Sequence, residues 1–297
     1  MRVNPDITSD ILYAVGQAQQ RQETALAQLS TGKRVNVPSD DPAAAAAEAL
    51  NVSGQSRNDQ YLQSVNTLTA GFQNADSALS SITTALTRAI SLGVQGGTGT
   101  VSNTDRQQIA QEVQGILDHV VQLANLSAGG MYAFGGTANA TAPFAADATT
   151  PSGVRYNGNS GVNHVAITDG RTIATNVPGD QLFLHPGADV MGSLQQLVTA
   201  LQSGTPSAIQ NATTAIHDAF SYLGAQRVFY GNALNQLNDE VQTLGQVSTN
   251  LRSQENSLVG IDMAKAAAQL ASAQTATSAA LAAAARVLPV SLLDYLR

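Results

Sequence analysis

Apolar residues along this chain recur in steps of four and three over long stretches, and one intervening stretch loses that period altogether. Tyr61, Val65, Leu68, Phe72, Ala75, Leu79, Ile82, Leu86 and Ala89 fall on a single seam of a helix. Gly96, Gly97 and Gly99 end that run. Asn103 or Thr104 is the expected cap of a second, in which Ile109, Val113, Ile116, Val120 and Leu123 repeat the spacing. The two are expected to pack as an antiparallel hairpin.

A third and longer pattern follows Pro206. Ile209, Ile216, Phe220, Leu223, Tyr230, Leu234, Leu237, Val241, Leu244, Leu251 and Leu258 share one heptad register. A continuous helix of that extent spans about 75 Å at roughly 1.5 Å per residue. Thr213, Arg227, Ser248 and Glu255 intrude on the seam. Gly224, Gly231 and Gly245 each cost about 1 kcal/mol relative to alanine, so a kink or break is compatible with the pattern.

Proline marks out the same plan, because a helix interior rejects a residue without an N–H donor. None occurs between Pro42 and Pro143 or between Pro206 and Pro289, whereas Pro143, Pro151, Pro178, Pro186 and Pro206 crowd the middle. Between Gly129 and Gly187 the helical period gives way to the strand-like runs MYAFGG, VRYNGNSG, VNHVAITDG, TIATNVPGD and QLFLHPG. Asn-Gly, Asn-Ser-Gly, Asp-Gly and Pro-Gly among them are read as hairpin turns.

The two ends differ from everything between them. Residues 6–31 carry Ile11, Val15, Ala18, Ala25 and Leu29 on one face among many glutamines, and Ala264–Ala285 holds thirteen alanines in twenty-two residues. Such segments favour helix but bury little alone, and helix stability in proteins comes mostly from packing. Small side chains let helix axes approach closely. Both ends are therefore read as segments that order on assembly, with an interface comprising Ile11, Val15, Leu26 and Leu29 at one end. At the other it comprises Leu258, Ile261, Leu270, Leu281, Leu288, Leu292, Leu293 and Leu296.

The expected fold is mainly α: an elongated helical bundle with coiled-coil-like terminal helices and a small inserted all-β domain. Residues 1–50 and 258–297 are expected to be the polymerisation helices, 51–128 and 190–257 the bundle, and 129–189 the β-rich insert.

Composition narrows the chemistry. Charged residues make up 12% of the chain, the formal net charge is −7 and the pI about 4.9, which argues against a nucleic-acid partner. Cysteine is absent, so disulfides, thiolate metal sites and cysteine nucleophiles are excluded. No run approaches the length of a membrane span, and the N-terminus lacks the apolar core of a cleaved secretory signal. Neither a G-x-S-x-G nor an H-E-x-x-H motif occurs. His164, His185, Asp169, Asp180 and Asp189 lack compact ligand spacing. No catalytic residue, cofactor or metal is expected.

The densest charge lies in LSTGKRVNVPSDDPAAAAA, residues 29–47. Gly32-Lys33-Arg34 lacks the upstream glycine and the Ser/Thr of a phosphate loop. The stretch reads instead as a helix junction. Gly32 ends one helix in a left-handed conformation, with Lys33 and Arg34 beside its carbonyl end. Ser39, Asp40 or Asp41 then caps the next helix, with Pro42 at its first position.

LSTGKRVNVPSDDPA near the start, QRVFYGNALNQL late in the chain and SLVGIDMAKAAAQLASAQTATSAALAAAARVLPVSLLDYLR at the end together resemble the bacterial flagellin family. Phe229-Tyr230-Gly231 departs from that pattern, where smaller residues are usual. The SDDPA form, MYAFGGTANATAPF with VRYNGNSG, and the SLLDYLR ending are similar to those members that stand between hook and filament. The resemblance implies a structural subunit, not an enzyme, forming a helical homo-oligomer outside the cell. It also implies contacts with flagellin and with the preceding junction protein on the hook side. Passage through the flagellar type III export apparatus without signal cleavage is implied too, as is an export chaperone on the C-terminal segment. Alternatives are a minor flagellin, or an exported adhesive or enzymatic module on a bundle scaffold.

Overall fold

The computed structural model describes residues 7–295, with side chains described for 9, 10 and 12–285. In chain order the elements are α1 (Ile7–Thr31), α2 (Pro42–Gly96), α3 (Asn103–Ala124), β1 (Ser127–Ala128), β2 (Met131–Tyr132), β3 (Phe144–Ala146) and β4 (Val154–Tyr156). There follow β5 (His164–Thr168), β6 (Arg171–Ala174), α4 (Gly179–Phe183), β7 (Leu184–His185), β8 (Ala188–Asp189), α5 (Val190–Ser203), α6 (Pro206–Val259) and α7 (Met263–Tyr295). The chain divides into two compact units: residues 1–58 with 246–297, and residues 59–245.

The 59–245 unit is built on the heptad seams. Val65, Phe72, Leu79, Ile82 and Leu86 of α2, Val113 and Val120 of α3, and Ile216, Leu223 and Leu237 of α6 are buried in one cluster. Arg88 of α2 reaches Glu112 of α3 at 2.6 Å. The cap of α3 is Ser102, one residue before the position the pattern suggested. Its Oγ accepts from Asp105 N at 3.2 Å, because the neighbouring Asn103 already has helical backbone.

α6 runs unbroken from Pro206 to Val259, and its polar intrusions Thr213, Arg227 and Glu255 have partners. Arg227 donates through Nε and Nη2 to Asp76 of α2 at 2.8 and 3.0 Å. Thr213 turns its hydroxyl onto Ile209 O at 2.7 Å, opposite Gly93, where any Cβ would collide with it. Seating the half-buried Thr213 in the seam is thus made possible by a glycine on the facing helix.

The middle segment forms four two-stranded antiparallel ribbons, β1–β2, β3–β4, β5–β6 and β7–β8. All four turn through glycines at positive φ: Gly129-Gly130, Gly153, Gly170 and Gly187. Asn157-Gly158, expected to be a hairpin turn, instead follows β4 in a loop where Asn159 Oδ1 accepts from Thr137 N at 2.8 Å. Gln181-Leu182-Phe183, expected to be strand, is the short helix α4. Phe134, Phe144 and Phe183 meet edge to face at 5.2 and 5.5 Å and belong to the same cluster as the helix seams. The β ribbons therefore share their core with the helices they interrupt.

The unit containing both chain ends is held differently. Its buried apolar residues, among those described, are Ala18, Ala25, Val35, Ala44, Val259, Ala266, Ala273 and Ala284, with Asn51, Asn58 and Thr277 as buried polar ones. The backbone of Lys33 bridges that of Gly260 in antiparallel fashion. α1, ending at Thr31, and α7, beginning at Met263, therefore run in opposite directions from a common point. Their Cα atoms come within 8 Å of each other, an approach that small seam side chains favour.

Candidate assembly interface

The charged stretch 29–47 is a joint, and its four charged side chains are accounted for. Gly32 has φ +69° and donates to Gln28 O at 2.9 Å, closing α1. Asp40 accepts from Asn36 N at 3.0 Å and Val37 N at 3.1 Å, which folds the loop back on itself. Asp41 is the cap of α2: Oδ1 accepts from Ala44 N at 3.0 Å, and Pro42 occupies the first helical position. These N–H donors hold both carboxyls below the usual aspartate range, Asp41 with additional help from Arg34.

Lys33 and Arg34 do not serve α1, as the sequence suggested. Arg34 donates to Leu258 O at 3.0 Å and its backbone N to Val259 O at 2.6 Å, so it closes the C-terminal end of α6. It also meets Asp41 at 3.1 Å. Lys33 Nζ bridges two helices, reaching Glu48 of α2 at 2.5 Å and Glu255 of α6 at 3.0 Å. Hydrogen bonds to Glu48 and then Glu255 raise the lysine pKa, while Gln55, then Lys33, lowers that of Glu255. Asn51 adds a bond to Leu251 O at 3.1 Å. Asp262 caps α7, accepting from Ala264 N at 2.9 Å and Lys265 N at 3.1 Å.

The expected interface residues divide into two sets. Val15, Leu29 and Leu270 are half-buried, on the heptad spacing of Ala18 and Ala25 in α1 and of Ala266 and Ala273 in α7, so they belong to the seam within the chain. Leu258 and Ile261 are half-buried beside the joint. Leu26 and Leu281 face outward, at 57% and 50% exposed. The side chains of Ile11, Leu288, Leu292 and Leu293, and all of Leu296, lie outside the described residues. Sequence reasoning missed Leu12 and Tyr13, exposed at 59% and 70%. A cleft of about 630 Å³ lined by Ala18, Ala25 and Ala273, with Arg21 and Lys265, opens between the two helices.

The other candidates have structural duties. Asp169 accepts from Tyr61 Oη at 2.8 Å, Asp180 from Ser160 Oγ, and Asp189 caps α5 by accepting from Gly192 N at 2.8 Å. Burial raises the Asp189 carboxyl pKa. His185 stacks on Tyr222 at 4.4 Å and His164 is exposed. Among the described residues no group of three or more metal-ligating side chains comes together, and no helix is long and apolar enough to cross a membrane.

The described elements thus comprise a pair of terminal helices on a capped joint and a heptad-built bundle. Two family models match this chain: the bacterial flagellin N-terminal helical region over residues 7–139 and the bacterial flagellin C-terminal helical region over 207–296. The chain belongs to the bacterial flagellin family.

Among named proteins, flagellar hook-associated protein 3 of Salmonella typhimurium is 38% identical over 157 residues, which cover 52% of this chain and 48% of that protein. The match thus spans about half the length of this relative. A flagellar hook-associated protein structure from Vibrio parahaemolyticus, described as putative, shares the fold with a TM-score of 0.68 at 19% identity. It covers 74% of this chain and 100% of its own. The flagellar junction protein FlgL from Legionella pneumophila does so with a TM-score of 0.59 at 16% identity, covering 72% and 100%.

Proposed function

We propose that this chain is the structural subunit joining the hook side of the bacterial flagellum to the flagellin filament. Subunits associate as a helical tube through their N- and C-terminal helices, with the preceding junction protein on one side and flagellin on the other. The chain reaches the cell exterior through the flagellar type III route, its C-terminal segment held beforehand by an export chaperone. The terminal layer comprises residues 1–50 and 258–297, the bundle 51–128 and 190–257, and the β-rich segment 129–189 is its outer surface. The reading takes its position in the flagellum from the matched hook-associated relative.

One observation supports assembly through the ends. Of the thirteen exposed large apolar side chains among the described residues, nine lie in the unit that carries the termini. Five of these, Leu12, Tyr13, Leu26, Met263 and Leu281, lie on the α1–α7 pair, and apolar groups left in water there are what a neighbouring subunit would cover.

The test is genetic and structural. A strain lacking the gene is expected to keep its hooks and release flagellin into the medium. The wild-type gene restores filaments, and Leu26→Asp with Leu281→Asp, both outward-facing, fails to. Filaments of normal length and attachment in the deletion strain, with the chain found along their shafts, would instead make it a minor flagellin.

A further inference from the structure

We propose that Asn157-Gly158 is a self-modifying site, at which the exposed asparagine converts to aspartate or isoaspartate through a cyclic imide while Arg155 polarises the reacting carbonyl. The sequence contains one Asn-Gly pair, and it lies in a loop after β4 rather than in a hairpin turn. Glycine has no Cβ, so the backbone nitrogen that follows the asparagine is unshielded. It can close on the side-chain amide carbon of the residue before it.

The fold leaves that attack open. Asn157 is exposed, and the Gly158 N–H makes no hydrogen bond to the protein. The N–H groups on either side do, Asn157 N to Pro143 O at 2.7 Å and Asn159 N to Gly135 O at 3.2 Å. Arg155 Nε donates to Asn157 Oδ1 at 3.0 Å, so a guanidinium faces the oxygen that turns negative when the nitrogen adds to Cγ. Asn159-Ser160, two residues on, is the contrast. Asn159 Oδ1 accepts from Thr137 N at 2.8 Å and Gly161 N at 3.0 Å, and its Nδ2 donates to Thr137 Oγ1 at 2.8 Å. That side chain cannot turn onto Ser160 without losing all three bonds.

The reaction balances with water alone. Hydroxide takes the Gly158 amide proton, the nitrogen bonds to Asn157 Cγ, and the Cγ–Nδ2 bond breaks to release ammonia, which takes its proton from water. Water then opens the imide at either carbonyl. One product is aspartate, whose carboxylate turns the Arg155 contact into an ion pair. The other is isoaspartate, with an extra methylene in the backbone just ahead of Gly158. Even a Cβ on Gly158 would strike the Tyr156 ring and Gly135 O, so the isoaspartate form displaces the loop that carries Asn159. The β-rich segment thus changes charge and loop shape with the age of the molecule, independently of its place in the flagellum.

The experiment ages the full-length protein in mildly alkaline buffer and follows each asparagine by tandem mass spectrometry, with aspartate and isoaspartate peptides separated. Asn157 is expected to convert while Asn159 stays intact. Arg155→Met should slow the conversion roughly three- to tenfold, the effect of one charge-assisted hydrogen bond that strengthens in the transition state. An intact Asn159 in that variant shows that its loop is still folded. In urea, Asn159 should begin to convert while Asn157 gains no rate, because unfolding removes its guanidinium; this comparison decides even if Arg155→Met disturbs the loop. No conversion at Asn157, an undiminished rate in a folded Arg155→Met, or a large acceleration of Asn157 on unfolding would overturn the proposal.

Discussion

The two units of this protein use the same helices and the same heptad spacing, yet bury different things. From residue 59 to 245 the α2 and α6 seams meet through Phe72, Leu79, Ile82, Leu223, Tyr230 and Leu237. Below residue 59 and above 245 the corresponding positions are Ala44, Asn51, Gln55, Asn58, Leu251 and Glu255, and no leucine, isoleucine or aromatic residue described there is fully buried. A buried leucine or phenylalanine contributes roughly 1.5–3 kcal/mol, an alanine methyl well under half of that. One unit is thus stabilised by its own interior. The other relies on close backbone approach, caps and ion pairs, with Leu12, Tyr13, Leu26 and Leu281 facing out. Periodicity shows where helices pair; which side chains occupy the seam decides whether the pair is complete without a neighbour.

The comparison can be broken at its strongest point first. Phe72→Ala removes a buried ring that meets Phe229 and Tyr230 at 6.1 and 5.7 Å, and is expected to cost about 3–5 kcal/mol in a denaturant melt. If the melt moves by less than about 1 kcal/mol, the apolar seam is not what holds that unit. Ala266→Leu, at a seam position 1% exposed and away from the cleft, should act oppositely in kind. It overfills the α1–α7 seam at about 1–3 kcal/mol, raising amide exchange in α1 and α7 roughly tenfold or more while exchange in α3 stays unchanged. Uniform exchange across both units would erase the distinction.

Smaller effects sharpen it. Asp262→Ala removes the cap of α7 and is expected to cost about 1 kcal/mol, read as faster exchange at Ala264–Ala266, with Asp262→Asn close to native. The smallest concerns pH. Glu255 has its folded pKa depressed, so its contribution is present above the unfolded value near 4.3 and fades as pH falls through the lower folded value. Lys33 has its pKa raised, so its share is complete below 10.5 and is lost only as pH rises beyond the folded value. Exchange at the joint should therefore be flat between pH 5 and 9, after correction for intrinsic rates, and quicken below about pH 4. Glu255→Gln should diminish that acid response and leave the part carried by the depressed carboxyls of Asp40 and Asp41.

Much of this was legible in the sequence for physical reasons. Helical seams repeat within a few residues, so Tyr61–Ala89 and Ile209–Leu258 declared themselves, as did the stop at Gly96 and the Asp41–Pro42 start. The unbroken course of α6 was not legible, because the partners of its polar residues lie elsewhere: Arg227 pairs with Asp76, 151 residues away. The role of Arg34 was hidden likewise, since Leu258 is 224 residues distant. Asp262 ahead of an alanine run did carry a cap signal that could have been taken. Leu26 and Leu281 were expected at an interface beside Val15, Leu29 and Leu270. Only the antiparallel pairing of α1 with α7 separates the outward-facing residues from the inward ones.

The meeting of Arg34 with Leu258 has a consequence for how the chain ends come together. That contact closes a loop of 224 residues, for which a free chain would forfeit about 5 kcal/mol of entropy, growing only as the logarithm of the length. Once α2 and α6 are paired, that loss has already been met, and α1 finds α7 at the high effective concentration of two strands leaving one point. A seam of alanines, too weak to bring distant segments together from solution, then needs only to zip.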